Sequence, residues 1–90
     1  MKTESSEIIS RFEKKGIPRE MYWLGPVEGA DMINGLCYDS GKWMIYYRER
    51  GQLSDREYYD SQDEAINALE DRLLKILEFY KRFYSVKSDQ

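Results

Sequence analysis

Six carboxylates crowd one stretch of this chain: Glu49, Asp55, Glu57, Asp60, Asp63 and Glu64. Two chemistries use such groups. A divalent cation needs several oxygens converging on one shell, and a carboxylate pair facing a cleft can serve as general acid and base. Neither pattern is complete here, since the stretch holds no Asp-x-Asp-x-Asp-Gly loop. The same residues fit a solvated, helix-capping surface, or a negative patch for a basic partner that acts mainly on association rate and specificity. Cys37 is the one cysteine, and the chain has no histidine. The thiol therefore lacks the base that nucleophilic attack requires. A lone cysteine also excludes an intramolecular disulfide and a cysteine-based zinc site. In the apolar run Leu36-Cys37-Tyr38 it reads as a buried, inert thiol. The expectation is no catalytic residue, no cofactor and no metal. An enzyme would have to run on carboxylates and tyrosines alone.

Ninety residues make one small domain, 1–90, with 1–4 and 85–90 expected to fray. A chain of this size has little spare volume for an internal cavity. The formal net charge of −3 argues against nucleic acid, which needs a basic face, and for a basic protein partner. No apolar stretch reaches the roughly 18 residues of a membrane span. The opening Met1-Lys2-Thr3-Glu4-Ser5-Ser6-Glu7 is polar and does not read as a signal peptide. Cytoplasmic residence is the expectation.

The elements that must position these groups follow from periodicity. A first helix is predicted from Ser5 or Ser6 to Lys15, with a serine cap, Ile8, Ile9 and Phe12 on one stripe, Gly16 past its end and Pro18 barring continuation. Pro18 to Leu24 reads either as one helical turn or as an extended segment, and Gly25, Pro26 and Gly29 mark a loop. Strands are predicted over Asp31–Tyr38, Lys42–Arg50 and Gln52–Tyr59, with turns at Asp39-Ser40-Gly41 and Arg50-Gly51. Ser61 and Glu64 have capping-box spacing. Ile66, Leu69, Leu73, Ile76, Tyr80 and Phe83 then form the seam of a final helix reaching Tyr84.

The fold class is thus α+β in the order α-β-β-β-α: a three-stranded antiparallel meander with two helices packed on one face. Alternation along the middle strand points Trp43, Ile45 and Tyr47 at the helices. It leaves Met44, Tyr46 and Arg48, joined by Tyr58, on an open face. Aromatics, Met and Arg favour interface centres. With Asp55 and Glu57 these residues make the candidate partner-binding set. Ordinary cross-strand packing is the competing reading. The seam beyond the sheet, at Tyr80, Phe83 and Tyr84, could seed a dimer contact, so monomer and weak homodimer both stay open.

The α-β-β-β-α order resembles the double-stranded RNA-binding domain. That domain clamps phosphates with basic residues at the start of its last helix, where this chain has Ser61-Gln62-Asp63-Glu64. A second resemblance has more residues behind it. Gly16-Ile17-Pro18-Arg19, the strand Gly41-Lys42-Trp43-Met44-Ile45-Tyr46-Tyr47-Arg48-Glu49-Arg50-Gly51 and Ser61-Gln62-Asp63-Glu64-Ala65 resemble small immunity-type proteins of bacterial, mostly Gram-positive, polymorphic toxin systems. The resemblance implies an antitoxin-like protein that binds and neutralises a cognate toxin and does no chemistry of its own; the acidic charge balance adds the expectation that the toxin domain is basic. The alternative is a regulatory or nucleic-acid-associated small domain, dimeric through its C-terminal helix, with Lys42, Arg48, Arg50 and Arg56 as a local basic strip.

Overall fold

The structure, a computed structural model, describes residues 3–88, with side chains through Arg82. The element order is α1 (Ser5–Lys14), β1 (Tyr22–Leu24), β2 (Ile33–Asp39), β3 (Lys42–Glu49), β4 (Gln52–Tyr59) and α2 (Gln62–Ser88), with 3₁₀ turns at Arg19–Met21 and Val27–Gly29. The class is α+β. The sheet has four strands in the order β1-β2-β3-β4, one more than expected. The segment left open between helical turn and extended chain is both. Pro18 caps a 3₁₀ turn, and β1 then pairs parallel with β2, Tyr22 opposite Asn34 and Leu24 opposite Leu36.

Local chemistry sets the boundaries. Glu4, not a serine, sits at the N-cap of α1, and its N–H donates to Glu7 Oε1 at 3.1 Å. The helix ends in a Schellman arrangement, with Gly16 N–H bonded to Glu13 O and Ile17 N–H to Phe12 O. Ser61 and Glu64 form the expected capping box of α2: Glu64 N–H donates to Ser61 Oγ at 3.1 Å and Ser61 N–H to Glu64 Oε1 at 3.3 Å. The hairpins close on Ser40-Gly41 and Arg50-Gly51, whose φ values of 51°, 86°, 53° and 78° are all left-handed. Two-residue turns with positive φ at both positions match strand twist and fix the register on either side of β3.

Two cores share β3. The larger unites Ile8 and Phe12 of α1, Leu36 and Ile45 of the sheet, and Ile66, Leu69 and Leu73 of α2. Both helices therefore lie on one face, as expected. Trp43 packs against this cluster, and Phe12 meets Tyr22 edge-on at 4.9 Å. The opposite face is not open. Met44 and Tyr46 are 3% and 0% exposed and pack with Ala30, flanked by Trp23, Val27, Ile33, Cys37 and Leu53. The loop after β1 covers them.

The Tyr46 ring crosses β2 directly over Gly35. A Cβ there would come within 2.8 Å of Tyr46 Cε1, and closer still to Cζ and the hydroxyl. Glycine at this point is a packing requirement. Opposite Tyr46, β4 carries a bulge: pairing skips from Ile45↔Glu57 to Tyr47↔Ser54, and Asp55 has φ 52°. Arg72 of α2 holds the bulge, donating to Asp55 O at 2.8 Å and to Asn34 Oδ1 at 3.1 Å.

The N-terminal segment is tied to α2. Thr3 N–H donates to Gln62 Oε1 at 2.6 Å, and Arg11 Nε donates to Glu70 Oε2 at 2.9 Å. Thr3 and Glu4, expected to fray, thus have fixed partners. Helix α2 also continues four residues past the expected end at Tyr84. The side chains of Phe83 and Tyr84 fall outside the described ones, as do Met1, Lys2, Asp89 and Gln90 altogether.

Two measurements check this packing. Gly35→Ala should cost about 1–3 kcal/mol, the usual range for overpacking, read as a lower urea midpoint at unchanged slope, with part recovered by adding Tyr46→Leu. The hydrogen bond from Arg11 holds the Glu70 carboxyl below its ordinary 4.5. A depressed folded-state value stabilises above the unfolded one and is lost as pH falls through the folded one. The wild-type urea midpoint should therefore drop more than that of Glu70→Gln between about pH 5 and pH 3. Parallel curves would show that the pair contributes nothing.

Candidate functional site

The six residues expected to form one partner-binding surface are dispersed. Met44 and Tyr46 are core, which corrects their placement on an open face: the loop after β1 lies over them and excludes solvent. Arg48 shares their face but is turned into the fold, its guanidinium Nη1 donating to Val27 O and, at 2.9 Å, to Ala30 O. Tyr58, opposite Met44, is 49% exposed. Asp55 occupies the bulge. Glu57 accepts from the Tyr59 hydroxyl at 2.6 Å and lies 3.7 Å from Arg72 Nη2. Among the described residues, no group of three or more His, Cys, Asp or Glu could hold a metal ion. No helix among them is long and apolar enough to cross a membrane.

A different site emerges where β1 stops. Strand β1 ends at Leu24, and the last bond between the two strands is Gly25 N–H to Leu36 O at 3.2 Å. Strand β2 runs on through Cys37, Tyr38 and Asp39 with no strand paired on its outer side among the described residues. A groove of about 620 Å³ follows that stretch. One wall is the loop Gly25–Glu28, and the other is the first turn of α1 with Gln62. The floor is apolar on both faces of the sheet. Ile8, Leu24 and Trp43 line the helix side, and Val27, Cys37 and Met44 the other.

The loop wall is built from specific contacts. Trp23 Nε1 donates to Pro26 O at 2.7 Å, and Gly29 lies so close to the indole that a Cβ would meet Cε2 at 3.0 Å. Arg48 then fastens the carbonyl of Val27, which opens the 3₁₀ turn, and that of Ala30, just past its end. Covering the second core and walling the groove are one structural act.

Electrostatics give the groove a sign. Its rim carries Glu4, Glu28 and Asp39, and none of its described lining residues is basic. Burial pushes the Cys37 thiol up, and the carboxylates of Asp39 and Glu28 push it the same way. A thiol held neutral in a negative field is a poor nucleophile. Tyr46 lies beneath, with its hydroxyl buried and without a partner among the described residues. Desolvation raises its pKa to about 12.

Sequence reasoning missed Glu4, Val27, Glu28 and Asp39 as site residues. The available signal was the open edge of a first strand ending at Tyr38, next to a loop rich in Gly and Pro. Comparison with family models, curated proteins and solved structures returns no match to this chain.

Replacing Arg48 with Met should release the loop. Charge-assisted hydrogen bonds contribute about 1.5–3 kcal/mol each, so stability should fall by at least the lower figure. Hydrogen exchange should accelerate at the Gly29 and Ala30 amides, which bond Pro26 O and Val27 O. Unchanged protection there would show that Trp23 alone secures the loop.

Proposed function

We propose that this chain is a non-catalytic protein-interaction domain of the immunity or antitoxin type, acting in the cytoplasm by covering a cognate toxin. The observation that carries this reading is the groove at the β2 edge, with an apolar floor and Glu4, Glu28 and Asp39 as the charged residues of its described lining. That composition suits a basic protein surface: apolar contact supplies affinity, and complementary charge supplies encounter rate and specificity. The resemblance of the Gly41–Gly51 strand and the Ser61–Ala65 cap to immunity-type proteins points the same way. A standard interface takes about 800 Å² per partner, a feasible share of the 6364 Å² of surface here.

A second reading, self-association through α2, has one observation in its favour. Phe79 and Tyr80 are 67% and 48% exposed near the end of the described side chains. Its nucleic-acid variant draws less support, because Arg48 is bound to loop carbonyls and Lys42 is ion-paired with Asp60.

Co-expression with the product of the adjacent open reading frame tests the main reading. A one-to-one complex on size exclusion, an association rate that falls as salt rises, and rescue of growth from that product are expected. Absence of both complex and rescue would remove the immunity assignment.

A further inference from the structure

We propose that the outer edge of β2 beyond Leu36 takes an extended segment of a partner protein, which adds there as a strand and carries Lys or Arg beside small apolar side chains. This rests on the protein-binding reading above and names its mode and chemistry.

The backbone argument comes from register. Asp39 and Lys42 close a two-residue hairpin, so they form a hydrogen-bonded pair. Alternation then turns the N–H and C=O of Cys37 toward β3, and those of Tyr38 and Leu36 away from it. Leu36 O is taken by Gly25 N–H. Tyr38 presents its donor and acceptor to the groove, in line with the strand that β1 has just ceased to supply.

The groove has the shape this mode needs. Successive residues of a strand point to opposite faces, so an added strand requires hollows on both sides of one edge. Leu24 and Trp43 shape the hollow on the helix side, Val27 and Met44 the other. Strand addition draws affinity from main-chain bonds and specificity from such alternate pockets. An α-helix, about 10 Å across with its side chains, would engage one face only.

Charge selects the occupant. Glu28 and Asp39 line the groove beside the free edge, with Glu4 on the opposite wall. A segment with cations at its ends meets opposite charge, whereas an acidic one meets repulsion. The other margin of the sheet is guarded: β4 carries the Asp55 bulge and the exposed charges of Arg56 and Glu57. The β2 margin has no bulge.

The test uses the ¹⁵N-labelled full chain and two synthetic peptides, Lys-Val-Thr-Val-Thr-Val-Lys and its counterpart with Glu at both ends. The Lys peptide should shift the amides of Gly25 and residues 37–39 and bind about tenfold or more tightly than the Glu peptide. The double variant Glu28→Lys/Asp39→Lys should reverse the preference. Should that variant fail to fold, Glu28→Lys alone should narrow it. Equal affinity for the two peptides, shifts centred on β4, no shift at Tyr38 at millimolar peptide, or a Tyr38 amide that broadens with protein concentration because copies pair edge to edge would each overturn the proposal. A neighbouring-gene product bound equally well by wild type and the double variant would overturn the edge site and leave the interaction reading standing. Peptide binding as expected, with no complex formed by that product, would do the reverse.

Discussion

One ribbon buried on both faces organises this protein. Strand β3 turns Trp43 and Ile45 one way and Met44 and Tyr46 the other, and both sets need cover. Two amphipathic helices cover the first. The second is left to a short loop in which only Val27 and Ala30 contribute apolar surface. Such a cover cannot hold by area alone, since a buried aliphatic side chain supplies only about 1.5–3 kcal/mol against the cost of ordering the chain. Directed bonds make up the difference: Arg48 and Trp23 each take loop carbonyls. The Tyr46 hydroxyl, sealed in without a partner among the described residues, is the residual cost of this arrangement.

The parts of the fold legible in sequence are those written locally. Hairpin turns, the Ser61–Glu64 cap, the α1 stripe and the side choice of Ile45 all depend on residues within a few positions of one another. Strand β1 does not. Its three residues are too few to show alternation, and their partners lie twelve positions away. The bulge at Asp55 is equally silent, because aspartate tolerates positive φ without announcing it. The second core was misread for a different reason. Met, Tyr and Arg on one strand face are what an interface centre prefers and also what a compact secondary core needs. Composition cannot separate the two, and the cover that decides sits in another part of the chain.

The groove was illegible as a unit for the same reason. Its pieces come from the start of α1, the loop after β1, the end of β2 and the start of α2. The loop and the end of β2 are near in sequence, but the first turn of α1 and Gln62 of α2, which form the facing wall, lie far from both and from each other. What sequence did supply was the sign of the charge and the lack of histidine, so the chemical character was closer to hand than the location.

The connectivity also implies an order of assembly. The β2-β3-β4 meander joins neighbours through tight turns, which close early and at low entropic cost. Helix α1 docks instead through Arg11 to Glu70, a span of 59 residues. On loop-closure grounds α1 is thus the late-arriving piece, fastened to an existing platform. The groove lies along the seam between platform and latecomer. Anything lodged in that seam would grip both and, by mass action on the native state alone, stabilise the docked position of α1.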